Sequence, residues 1–138
     1  MTLPDKWVRK GVYDLINNMV VDTKTIPCYD VSATNYDGDN YVIMSTQTNT
    51  DDPTKCGAGF DHSILLDVVT RFPKNTGSRL LADNITQNII TLMAGFALDV
   101  GSGLVATNIR LTIPNDLTNE TDGEIVHRKF LRYEINTR

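Results

Sequence analysis

The sequence predicts an α+β domain: a mainly antiparallel sheet of four to five strands, two helices packed on one face, and long inter-strand loops. Three observations carry that expectation. Two segments repeat apolar residues at helical spacing, one near the start of the chain and one past its middle. The stretch "DHSILLDVVTRF" alternates with period two. The end of the chain holds two more alternating segments divided by a polar, turn-rich stretch. No internal repeat or linker interrupts the 138 residues, so 1–138 reads as a single domain.

The first element is "LPDKWVRKGVYDLINNMVV", where Val8, Val12, Leu15, Ile16 and Met19 fall on one helical stripe. Pro4 and Asp5 suit its first turn: proline has no amide to waste there, and aspartate favours the positive helix end. Gly11 weakens the interior slightly. "TIPCYDV" follows as a short strand, held to an edge or strand end by Pro27. In "YDGDNYVIMST" the Asp37-Gly38 pair supplies a turn, and Tyr41 to Met44 form the strand that leaves it.

Ser45 to Phe60, "STQTNTDDPTKCGAGF", reads as a long polar loop, which a compact domain rarely keeps without a use for it. Beyond it, "DHSILLDVVTRF" puts Ile64, Leu66, Val68, Thr70 and Phe72 on one face and Leu65, Asp67, Val69 and Arg71 on the other. The first set should meet the core, since the opposite choice would bury Asp67 and Arg71 unpaired. Pro73 ends the strand.

The second helix lies in "NTGSRLLADNITQNIITLMAGF", capped by Ser78 or Thr76, with Leu81, Ile85, Ile89, Leu92, Met93 and Phe96 as its core stripe and Gly95 at its exit. "GLVATNIRLTI" and "GEIVHRKFLRYEI" then form an antiparallel hairpin with "PNDLTNETDG" as a long tip.

Composition narrows the function. Apolar residues at 41% and charged residues at 22% describe a soluble globular protein. A net charge of −4 argues against a general binder of nucleic acid or anionic membranes. No apolar run approaches the ~20 residues needed to cross a bilayer, so no membrane association and an intracellular setting are expected. Cys28 and Cys56 leave a disulfide open, but their count and spacing suggest a reducing compartment or no redox role. Cys28 reads as a small buried apolar residue.

Chemistry is hard to find. His62 and His127 have no metal-ligand spacing, and "CGAGF" and "GSG" lack the strand-to-helix setting of a dinucleotide site. "YDGDNY" lacks the ligand register of a calcium loop. No catalytic residue, cofactor or metal is therefore assigned, and the chain does not read as an enzyme. One basic concentration stands out: Arg128, Lys129, Arg132 and Arg138. Arg128 and Arg132 share a strand face with Phe130 between them. That face is either a solvated surface with cross-strand packing or an interaction surface, where arginine and aromatics are enriched.

The series "IPCYDV", "YVIMST", "DHSILLDVVTRFP", "SRLLADNITQNIITLM" and "VHRKFLRYEI" resembles the tail completion or tail terminator proteins of tailed bacteriophages. The most telling pieces are Phe72-Pro73 before a long helix, and His127-Arg128 followed by Leu131-Arg132-Tyr133. The similarity runs from Trp7 to Ile135. It implies a virion subunit, assembled in the host cytoplasm into a ring of roughly six or twelve copies. Such a ring sits at the head-proximal end of the tail, between portal or connector and tail-tube proteins, and DNA passes its lumen without sequence-specific binding. The long Ser45–Phe60 and Pro114–Gly123 stretches depart from the commoner members. They are expected to be arms that reach a neighbouring copy, with Thr46, Asn49, Asp51, Asp52, Lys55, Phe60, Leu117 and Asn119 as contacts. Arg128, Phe130 and Arg132 would add a contact from the last strand. The alternatives are another neck or tail ring or adaptor, or a non-viral protein-binding module.

Overall fold

The computed structural model describes residues 5–30, 39–51, 60–73, 76–98, 103, 105–120 and 123–137. In chain order the elements are α1 (Asp5–Ile16), β1 (Met19–Val21), β2 (Lys24–Ile26), β3 (Cys28–Asp30), β4 (Asn40–Asp51), β5 (Phe60–Pro73), α2 (Leu80–Met93), β6 (Ala106–Glu120) and β7 (Glu124–Thr137). β1 and β2 form a two-stranded ribbon, and the other strands form a sheet ordered β3-β4-β5-β7-β6.

α1 stops because Asn18 turns left-handed at φ 59, a conformation asparagine tolerates at a helix exit. Asn17 then ties that exit to the sheet, its Oδ1 accepting the Cys28 amide at 3.0 Å. Met19, expected on the helical stripe, instead opens β1. The turn from β1 to β2 places Asp22 and Thr23 at φ 51 and 66, the twist a tight hairpin requires. Asn84 of α2 donates to Asp22 at 2.9 Å and pins that turn to the helix layer.

Pro27 has no amide to donate, and the ladder breaks there. "TIPCYDV" is consequently two strands: β2 pairs with β1, while β3 runs parallel to β4 in the register Cys28↔Val42 to Asp30↔Met44. These pairings correct the expected architecture. Among the described residues, seven strands in two sheets replace four to five in one, and the main sheet is mixed. Asp37 and Gly38, the expected turn, lie outside the described residues.

The long loops are corrected too. β4 continues past Met44 through a bulge at Ser45 and pairs residue by residue as far as Asp51↔Phe60. A strand of Thr, Gln and Asn shows no apolar alternation, so the polar stretch looked unstructured. Threonine nonetheless fits a pleated surface well. β6 likewise continues through Pro114 to Glu120, with a register shift between Thr112 and Asn115. Proline survives there because β6 is an edge strand and the shift relieves the ladder.

Both helices contribute to one core. Val8, Val12 and Ile16 of α1 and Leu81, Ile85, Ile89 and Met93 of α2 join Val42, Met44, Ile64, Leu66, Val68, Leu131, Tyr133 and Ile135 of the sheet. Each fully buried aliphatic of this kind stabilises the fold by about 1.5–3 kcal/mol. Gly11 earns its place in the helix interior by packing: a Cβ there would stand 2.8 Å from Cε2 of Phe96.

The start of α2 differs from expectation. Its cap position is Arg79, without a side-chain cap, while Ser78 Oγ accepts the Leu80 amide at 3.2 Å. Thr76 instead donates back to the Pro73 carbonyl at 2.6 Å. Gly77, at φ 74, lies flat on the ring of Phe72, where any Cβ would collide.

Candidate interaction surface

Strand parity divides the sheet into a face under the helices and an outer face. Cross-strand pairing aligns Tyr41, Val69, Arg128 and Leu117 in one outer row, and Ile43, Asp67 and Phe130 in the next. α1 and α2 pack on the opposite face, yet Asp67 and Val69 are each only 2% exposed and Tyr41 4%. Side chains of the same face lie against two of them. Arg128 forks onto Asp67, Nε donating to Oδ1 at 3.3 Å and the terminal nitrogen to Oδ2. Its guanidinium also lies 5.5 Å from the Phe130 ring centre. The hydrogen bond to Asp67 pushes Arg128 above its ordinary pKa, against the opposing effect of burial. Arg71 lies 6.0 Å over Tyr41, which meets Tyr29 edge to face.

Further along the same face, Asp61, Ser63, Asn108, Arg110, Glu134 and Asn136 line a polar cleft of about 430 Å³. Its groups are paired among themselves: Arg110 with Glu134, Asn136 donating to Asp61, and Arg132 donating to Ser63 at 2.8 Å. The arrangement can exchange hydrogen bonds with a partner. His62 also borders the cleft, its Nε2 3.2 Å from the Thr137 hydroxyl. Among the described residues no three His, Cys, Asp or Glu side chains gather as a metal site.

The β6–β7 hairpin projects beyond the core. β7 alternates with buried residues only from Leu131 onward, and Glu124 to Phe130 are all half-buried. Lys129 ties the hairpin to the helix layer, donating to Asp83 in the first turn of α2 at 2.8 Å and lying 3.5 Å from Asp116 of β6. The Asp83 hydrogen bond is the main reason the Lys129 ammonium is pushed above its usual range. Beyond it, Thr118 Oγ1 lies 3.1 Å from His127 Nδ1. Strand lengths explain the overhang: β5 has 14 residues, roughly 46 Å, while the 14 residues of α2 span roughly 21 Å.

The expected contact residues divide accordingly. The backbones of Thr46, Asn49 and Asp51 lie in β4, but their side chains fall outside the described residues, as do Asp52 and Lys55 altogether. Phe60 is buried and so is not an exposed arm residue. Leu117, 44% exposed, and Asn119 stand open on the edge strand. Arg128, Phe130 and Arg132 do share one face, as parity indicated, but Arg128 is held by Asp67 and Arg132 by Ser63. Asp67 itself was missed as a participant. Its burial depends on which strand lies beside β5, and parity alone carries no such information.

No family model matches the chain, and no curated protein matches it in sequence. A chain in the solved structure of the virion of a native gene transfer agent (GTA) particle shares its fold. The TM-score is 0.58 over 98% of this chain and 95% of that one, at 14% sequence identity.

Proposed function

We propose that this protein is a structural subunit of a phage-like virion, acting in the tail or neck as a tail-completion ring. The observation that carries this reading is the end-to-end likeness in fold to a virion chain of a gene transfer agent. Domains that share only a common core would leave large parts of one chain unmatched. The body also suits assembly. A rigid sheet backed by helices presents a projecting hairpin and a long edge strand, elements that a neighbouring copy can grip without any catalytic centre. The finer placement, at the head-proximal end between connector and tail tube, rests on the resemblance of "DHSILLDVVTRFP" and "VHRKFLRYEI" to tail terminators.

Mass spectrometry of purified particles, with gold labelling of a tagged chain, tests both levels. The expected result is a fixed copy number per particle and label at the junction of head and tail. Particles that lack the chain overturn the virion reading. Label confined to another part of the particle overturns the neck placement alone.

A further inference from the structure

The main sheet has two edges, and both stand open along the same stretch. β3 covers β4 only at Val42–Met44, and β4 then continues past its bulge to Asp51. Among the described residues no strand pairs with the outer side of Thr46–Asp51, and none lies outside β6 at the opposite edge. The second half of β6 is a poor template for pairing, because Pro114 has no amide and the register shifts between Thr112 and Asn115. Asn108–Thr112, by contrast, pairs regularly with β7 and holds neither proline nor lysine to blunt the edge.

The cross-strand register sets the two open stretches level with each other. Thr46 lies in the row of Leu65, Arg132 and Thr112, and Thr50 in the row of Asp61, Asn136 and Asn108. β4 and β6 run in opposite directions, since three antiparallel pairings separate them. The closed stretches are level too: Val42, beside β3, shares a row with Asp116, beyond Pro114.

We propose that Asn108–Thr112 of one copy pairs antiparallel with Thr46–Thr50 of the next, joining the sheets of neighbouring subunits into one. The occupant of each edge is a second copy because the two stretches agree in length, level and direction. Main-chain hydrogen bonds carry such a contact, so it needs no apolar pattern in "TQTNT". Arg110 is the one charged residue in either stretch, and Glu134 of its own sheet already pairs with it. Opposite edges of one sheet make a head-to-tail contact, the kind that repeats until a ring closes. This contact rests on the assembly reading above and specifies which surfaces perform it.

Sedimentation and disulfide cross-linking of the purified full chain test the contact in a Cys56→Ser background, where the remaining Cys28 is buried. The parent chain should self-associate. Thr46→Cys and Thr112→Cys together should give covalent dimers, trimers and larger species under mild oxidation, while each alone should give none. Thr50→Lys with Asn108→Lys sets lysine against lysine across the contact and should weaken association by about tenfold or more. Thr50→Lys with Asn108→Glu sets opposite charges together and should associate at least as tightly as the parent. Melting temperatures of the two charge variants should agree, so a difference in association reports on the contact and not on folding. Covalent dimers from Thr112→Cys alone would mean that β6 meets itself, and would overturn the proposal. So would equal association by the two charge variants, or a parent chain that stays monomeric at millimolar concentration. Presence of the chain in particles is read separately, so the virion reading can stand while this contact falls.

Discussion

Arg128 holds Asp67 on the sheet face opposite α1 and α2. The carboxylate side chain is 3% exposed and the guanidinium 35%, so a nearly buried charge depends on a partly open one. Removing the open partner strands the buried one. Arg128→Ala should cost about 2–3 kcal/mol in urea unfolding, toward the low end for a buried pair because Arg128 retains some water. Adding Asp67→Asn should restore part of the loss, since the stranded charge is then gone. A double variant as unstable as the sum of the single ones would show that the two residues act independently.

Alkaline stability should follow two buried acids. Burial, with Asp30 as a lesser cause, pushes the Cys28 thiol from 9.0 up to about 12, and burial pushes Tyr133 from 10.0 up to about 12. Both are neutral when protonated, and the folded state holds their protons longer than the unfolded state does. Their contribution is therefore complete below pH 9 and declines as pH rises toward 12. Each titrating group adds a slope of about 1.4 kcal/mol per pH unit. Urea midpoints measured from pH 8 to pH 11 should fall, and Cys28→Ala should flatten the stretch between pH 9 and 10. Midpoints constant to pH 11 would refute this.

Gly11 offers a test in which propensity and packing oppose each other. Alanine in a helix interior gains about 1 kcal/mol over glycine. Here its methyl would meet the Phe96 ring at 2.8 Å. Gly11→Ala should destabilise by about 1 kcal/mol, the overpacking cost exceeding the helical gain. In a Phe96→Leu background the same change should become neutral or stabilising, as read from thermal melts of the four proteins.

Lys129 joins the hairpin to α2, and its two partners are about half exposed. Lys129→Ala should change global stability by less than about 1 kcal/mol. Its local effect should be larger. Amide exchange should quicken in Asp116–Glu120 and Glu124–His127 while the centre of β5 stays protected, and added salt should reproduce the effect in wild type. Unchanged exchange in the hairpin would show that Lys129 does not hold it.

The two helices and the core face of β5 were legible because apolar spacing reports directly on burial. Val8, Val12 and Ile16, and Leu81, Ile85, Ile89 and Met93, recur at the period of a helix packed on one side. The β1–β2 ribbon was not legible. Its strands have three residues each, and its turn uses Thr23 at a left-handed φ where glycine or asparagine would have signalled it. Thr46 to Asp51 escaped notice because a polar strand has no hydrophobic rhythm, and Pro114 argued against the edge strand that tolerates it. Parity placed Arg128, Phe130 and Arg132 together. Pairing Arg128 with Asp67 required the β5–β7 register, which sets Val69 opposite Arg128.

That register runs unbroken from Phe60↔Thr137 to Pro73↔Glu124, while β4 enters β5 at one end and β6 enters β7 at the other. Tension applied between those two entry points would load the whole ladder in shear rather than peel it bond by bond. The rungs would have to fail together, so the domain is stiffest along its strands. A wall built with those strands aligned to the strain would be hardest to tear in that direction.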